Sequence, residues 1–242
     1  MARLGWAMML VCWLVGRTEA AECIATQVNG TDALQSRSVD QRLQLIDQRL
    51  QADAANAQIW RSSWAAIYWT LAVAQFTAAP LVSRSTAKNL YVGGSSSLIG
   101  LAPLLITPLK VIKDSERARE VVAHRGEDPC TALFQMEELL KRDAENEELG
   151  RSALFHGGNV AFNVGIFLIL GAGFGHWTSA TISLLTGIAT GEIMIFTQPA
   201  GAQRTLREYR LGEFRVETPK SPVLIMPLLG RGLAGIGLNL AF

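Results

Sequence analysis

Charge is distributed along this chain in blocks, and the gaps between the blocks decide what it can fold into. From Ser62 to Ser83 the chain reads SSWAAIYWTLAVAQFTAAPLVS, without one Asp, Glu, Lys or Arg. The same holds for NLYVGGSSSLIGLAPLLITPL, Asn89 to Leu109, and for everything from Ser152 to Gly191. A helix needs about 20 mostly apolar residues to cross ~30 Å of hydrocarbon at ~1.5 Å per residue. Each of the first two runs therefore fits one span, and the third fits two. Only RSTAK separates the first pair, and GAGFGHW marks a turn inside the third run.

The expected fold class is an all-α membrane protein with four transmembrane helices in two hairpins, residues 60–109 and 152–198. Trp60, Trp64 and Tyr68 step by four along one face, and Trp177 sits at the second turn, as interfacial aromatics do. Pro103 and Pro108 are expected to kink the second span. A soluble helical protein with buried hairpins is the competing reading, because Ser95–Ser97, Asn159 and Asn163 temper the apolar runs.

Residues 110–151, between the hairpins, carry both signs of charge densely. They read as a water-facing helical segment broken at Gly126–Pro129, with Leu133, Met136, Leu139 and Leu140 on one face. Upstream, residues 39–59 read as an amphipathic helix, with Asp40 at its start and Leu43, Ile46, Leu50 and Ala54 at three- and four-residue steps. MARLGWAMMLVCWLVGRTEAAEC opens the chain with one Arg, a short apolar run and then small residues. That is the layout of a secretory signal peptide over residues 1–20, with Thr18-Glu19-Ala20 at the cleavage site. An uncleaved first helix is the alternative.

Cleavage leaves residues 21–59 as an exported amino-terminal segment, and Cys23 and Cys130 as the remaining cysteines. A disulfide between them is expected in an oxidising compartment, with two buried thiols as the alternative. The loop at 84–88 holds Arg84 and Lys88 with no acid and so faces the cytoplasm. Segment 110–151 then returns to the far side, where Cys23 also lies. No Cys or His stands near either cysteine at ligand spacing, so no metal and no cofactor is expected. A net charge of +1 gives no reason to expect nucleic acid.

In the tail, 199–242, Arg204, Arg207, Arg210 and Arg215 alternate with Glu and read as a solvated segment. Gly230-Arg-Gly232-Leu-Ala-Gly235 has the spacing of glycines in dinucleotide-binding turns, but such a turn needs a following helix and strand, and seven residues remain. Ala234, Ile236, Leu238, Leu240 and Phe242 alternate with small residues, which predicts a strand over 233–242 and a hairpin with PVLIMPLL. This ending resembles the terminal strand of bacterial outer-membrane β-barrels, which finish in Phe with alternate apolar residues. The resemblance implies the outer membrane, whereas the apolar helices imply the inner, which is favoured. One hairpin cannot satisfy its edges in lipid, so either several chains pool hairpins or the tail pairs in water.

Candidate functional groups are few. His156, Asn159 and Asn163 share one face of the third span. Ser179, Ser183, Thr186 and Thr190 form a stripe on the fourth and are expected to face them. Gly187 and Gly191 permit close helix contact. Glu192 is the one acid in a span, which makes it a site hypothesis by default. No nucleophile elbow and no metalloprotease signature occurs, so the chain is not read as an enzyme. The expectation is a structural or assembly role in a self-associating or larger envelope complex, with the lipid bilayer and another copy or complex member as partners. The alternative is a small channel or transporter using the polar faces of spans three and four.

Overall fold

A short turn of helix, α1 (Asp32–Gln35), leads into α2 (Val39–Ala78), one uninterrupted helix of 40 residues. At ~1.5 Å per residue, α2 is about 60 Å long. Its start is fixed by a capping box: the Ser38 hydroxyl accepts from the Gln41 N–H while the Gln41 side chain accepts from the Ser38 N–H. No Gly or Pro follows until Pro80, so the amphipathic segment and the first charge-free run form one helix. In the computed structural model the described residues are 23, 30–106, 109–126, 128–213, 224–230 and 233–239. The expected signal peptide, residues 1–20, and the tail's turn at 231–232 lie outside them.

A tight turn over residues 79–83 reverses the chain into α3 (Arg84–Ile106), followed by α4 (Lys110–Ala123). Asp128 opens α5 (Pro129–Gly150), its carboxylate accepting from the Cys130 and Thr131 N–H groups at 3.1 Å. α6 (Ala153–Leu168) ends in a wide turn at Ile169–Gly173, and α7 (Trp177–Phe196) returns toward α8 (Gly201–Arg210). The backbones of β1 (Leu224–Gly230) and β2 (Leu233–Asn239) run antiparallel, Leu224 opposite Asn239 and Gly230 opposite Leu233. The all-helical fold class rests on the helices.

These helices make two zones. In the first, the amino-terminal half of α2 packs with α4, α5 and α8 around Leu43, Ile46, Leu50, Met136, Leu140 and Tyr209, none more than 1% exposed. Each such side chain contributes about 1.5–3 kcal/mol by leaving water. A buried polar triad sits among them. Arg42 donates to the Tyr209 hydroxyl at 2.8 Å and to Glu137, and the Tyr209 hydroxyl donates to the same carboxylate at 2.5 Å. The Cys23–Cys130 disulfide is present, its Cα atoms 5.4 Å apart, and ties the start of the chain to the first turn of α5. α8 corrects the expectation of a solvated segment: it buries Ala202, Thr205, Leu206 and Tyr209 on one face.

In the second zone, the carboxy-terminal half of α2 pairs with α3, and α6 pairs with α7. Three helical stretches are long and apolar enough to cross a membrane: Arg84–Ala123, Pro129–Gly173 and Trp177–Arg210. At most a quarter of each apolar window is buried inside the protein. Leu105, Ile106, Leu154, Leu185 and Phe196 point outward from these helices, as lipid-facing residues do. The first of the four expected spans is not among the three. Its half of α2 carries Trp64, Tyr68, Trp69, Thr70 and Gln75, which dilute its apolar character. α3 lies against that half so closely that a Cβ on Gly93, Gly94 or Gly100 would collide with Gln75, Phe76 or Tyr68.

Candidate functional site

The polar face of α6 meets α7 along a hydrogen-bonded seam. Steps of three and four residues put His156, Asn159 and Asn163 on one face of α6. Asn163 Nδ2 donates to both Asn159 oxygens, backbone and side chain, at 2.9 Å. Asn159 Nδ2 donates to the Ile188 carbonyl at 3.1 Å and to Glu192 Oε1 at 3.0 Å. His156 Nδ1 lies 2.5 Å from Glu192 Oε2, and with the carboxylate ionised it is the donor. The Phe196 ring packs against the imidazole, 5.3 Å between centroids. One chain of donors thus runs from Asn163 through Asn159 to Glu192 and is met there by His156.

The glycines opposite explain the close fit. A Cβ on Gly187 would strike the Asn163 side chain, and one on Gly191 would strike Asn159. The expectation that the Ser/Thr stripe faces α6 is corrected: Gly187, Ile188, Gly191 and Glu192 form the meeting face. Thr186 and Thr190 instead return their hydroxyls to their own helix, to Ile182 O and Thr186 O at 2.8 Å, and Thr186 is exposed. Ser183 is half-buried, and its carbonyl accepts the second, longer bond from Thr186 at 3.4 Å.

A second polar cluster, not anticipated from the sequence, clips the turns of the two hairpins together. Asn89 Nδ2 donates to Ser179 Oγ at 2.9 Å, so its Oδ1 is left to accept from His176 Nδ1 at 2.7 Å. That fixes a proton on Nδ1, and Nε2 pairs with Ser85 Oγ at 3.0 Å. Every ring nitrogen and amide atom of this clip is used within the protein.

At the opposite end, where the apolar helices meet the bundle, two arginines cover helix-terminal carbonyls. α3 ends at Ile106, and Arg61 of α2 donates to its Leu104 and Leu105 carbonyls. Arg151 does the same for α7, donating to the Phe196 carbonyl at 3.1 Å and to Gln198 O. Beside them the Trp60 and Trp64 indoles both donate to Thr197 Oγ1 at 3.2 Å. Tryptophan and arginine in one layer is the composition of a membrane–water boundary.

The bundle itself buries acids. Asp114 accepts from Arg142 Nε at 3.1 Å, and Asp143 stands beside it, 1% exposed, with no protein donor on either oxygen. Burial pushes the Asp143 carboxyl up to about 9, with the neighbouring Asp114 carboxylate acting in the same direction. Glu147 is also raised by burial, opposed by the Ala202 and Gln203 N–H groups that it caps at 3.2 and 3.0 Å. Among the described residues no group of three His, Cys, Asp or Glu is placed to hold a metal ion. No family model, no curated protein and no solved structure matches this chain.

Proposed function

We propose that this chain is an integral envelope-membrane protein with a structural role, anchoring a helical bundle to the bilayer and self-associating through α6. The observation that carries the proposal is a contrast among glycines. All the glycines of α3 and α7 are filled by a side chain of a neighbouring helix. The three of α6, Gly157, Gly158 and Gly165, have nothing within 4 Å of a built Cβ. Gly157, Ala161 and Gly165 repeat every four residues, on the side of α6 away from the Asn159–Asn163 seam. In lipid such a face gives close backbone contact to another helix, and a second copy of α6 is the partner assigned to it.

Four spans fit this reading better than three. α7 has 20 residues, about 30 Å, and runs between the clip at His176 and the layer at Arg151. The second half of α2 covers the same height, from Trp60 and Trp64 to Pro80, and its apolar Leu71 and Val73 face outward. The disulfide supports an oxidising compartment on the bundle side, which for an inner-membrane protein is the outside. The alternating tail is read as a hairpin on that same side. The alternative of a small channel is less favoured, because the seam's polar groups bond one another and a solute path would have to break those bonds. No catalytic role is assigned.

Thiol cross-linking in native membranes tests the proposal. Ala161→Cys should give a cross-linked dimer with a short bifunctional maleimide, and Leu185→Cys, exposed on α7, should not. Equal cross-linking at both positions, or none at Ala161, refutes the α6 interface. Alkaline extraction of the same membranes tests the anchor, since a chain released into the supernatant is not integral.

A further inference from the structure

We propose that the turn end of the two hairpins is a docking surface for anionic phospholipid headgroups, an inference that rests on the membrane reading. Arg84 and Lys88 stand one helical turn apart at the start of α3, both exposed. Among the described residues neither forms an ion pair, whereas Arg42, Arg49, Arg125 and Arg142 of the bundle are each matched to an acid. The protein has no nearby acid to offer. Between Asp53 and Asp114 the sequence contains no Asp or Glu, and across α6 and α7 it contains Glu192 alone, at the opposite end of α7.

The surroundings suit a lipid surface. Leu81 is 80% exposed and Trp177 53% exposed, with Val82 and Phe174 beside them, so the two cations rise out of an apolar rim. Lys88 Nζ lies 5.1 Å from the centre of the Phe174 ring, which draws it toward the junction of the two turns. The Asn89–His176–Ser85–Ser179 clip holds those turns side by side, so the charges sit on a fixed platform. An apolar rim at acyl depth with unmatched positive charge above it complements a phosphodiester that carries a net negative charge. A zwitterionic headgroup brings its own cation and gains less.

The test uses the full chain in nanodiscs of phosphatidylcholine mixed with phosphatidylglycerol, and native mass spectrometry counts the lipids retained per chain. The wild type should retain phosphatidylglycerol in preference to phosphatidylcholine. Each cation near an anionic surface strengthens association about fivefold, so the double variant Arg84→Gln/Lys88→Gln should weaken the preference about thirtyfold. The control Lys110→Gln/Lys113→Gln, at the other end of the spans, should keep it. Undiminished preference in the Arg84/Lys88 variant, no preference in the wild type, or displacement of the lipid by inorganic phosphate each overturns the proposal. Alkaline extraction separates these outcomes from failure of the membrane reading, because a preference is interpretable only in a chain that resists extraction.

Discussion

Replacing Asp143 by Asn should make the protein more stable and flatten its response to pH. In the folded bundle the Asp143 carboxyl is shut away from water beside the Asp114 carboxylate, and it titrates near 9. It is therefore protonated at neutral pH, when its O–H can donate to Asp114. In the unfolded chain the same group ionises near its ordinary value, 3.8. A folded value above the unfolded one means that its contribution is fully present below the ordinary carboxylate range. That contribution is lost as pH climbs toward 9. Each pH unit in that window is worth about 1.4 kcal/mol, which gives a ceiling of roughly 4 kcal/mol by pH 7. Relaxation of the neighbouring Arg142 and Glu147 lowers this to about 2–3 kcal/mol. Asn keeps the size and the donor and removes the titration. The assay is thermal unfolding in nanodiscs at a series of pH values between 5 and 8.5. Wild type should lose stability as pH rises, and Asp143→Asn should show a shallower slope and a higher midpoint at pH 8, with the remaining slope owed to Glu147. An unchanged slope, or a variant less stable than wild type at pH 8, refutes the reasoning.

Other perturbations act on single contacts. Arg42→Met should destabilise by about 3–5 kcal/mol, because it strands Glu137 as a buried charge; the double change Arg42→Met/Glu137→Leu should recover much of that loss in the same melting assay. Arg61→Ala removes the donors from the Leu104 and Leu105 carbonyls and should cost about 1–3 kcal/mol, lowering the yield of folded protein on size exclusion in detergent. Gly191→Leu drives a side chain into Asn159 and should part α6 from α7, which limited proteolysis at the Gly173–His176 turn would report as faster cleavage. Cys23→Ser should abolish the shift in gel mobility that reduction produces in the wild type, and alkylation of two thiols in the native protein would contradict the disulfide.

Much of the architecture was legible because charge-free runs and their separations are local features. The break at Gly126–Pro129 and the cysteine pair could be read in the same way, from one short stretch or from compartment logic. α8 was missed although its signal was present: Ala202, Thr205, Leu206 and Tyr209 follow helical steps, but four charges and a Gln around them masked the pattern. It also lacks a side-chain cap of its own, and its amino end is satisfied by Glu147, 55 residues away. The orientation of α7 was misjudged for a different reason. A Ser/Thr stripe looks like a polar face, yet each Thr hydroxyl has a carbonyl one turn back to bond, so it needs no partner helix. The glycine face is where the polar side chains of α6 go. The boundary arginines could not be read at all, since Arg61 meets Leu104 43 positions away and only the packing of α3 on α2 brings them together.

The uninterrupted course of α2 has a mechanical consequence. Among the described residues the passages from α5 to α6 and from α7 to α8 are broken at the layer of Arg61 and Arg151, at 151–152 and 197–200. α2 passes that layer without a hinge. It is a stiff lever with its fulcrum near Trp60, and a tilt of about 10° on one side displaces its far tip by roughly 5 Å on the other. A tilt of the half of α2 that pairs with α3 is thereby carried into the half that packs against α4, α5 and α8.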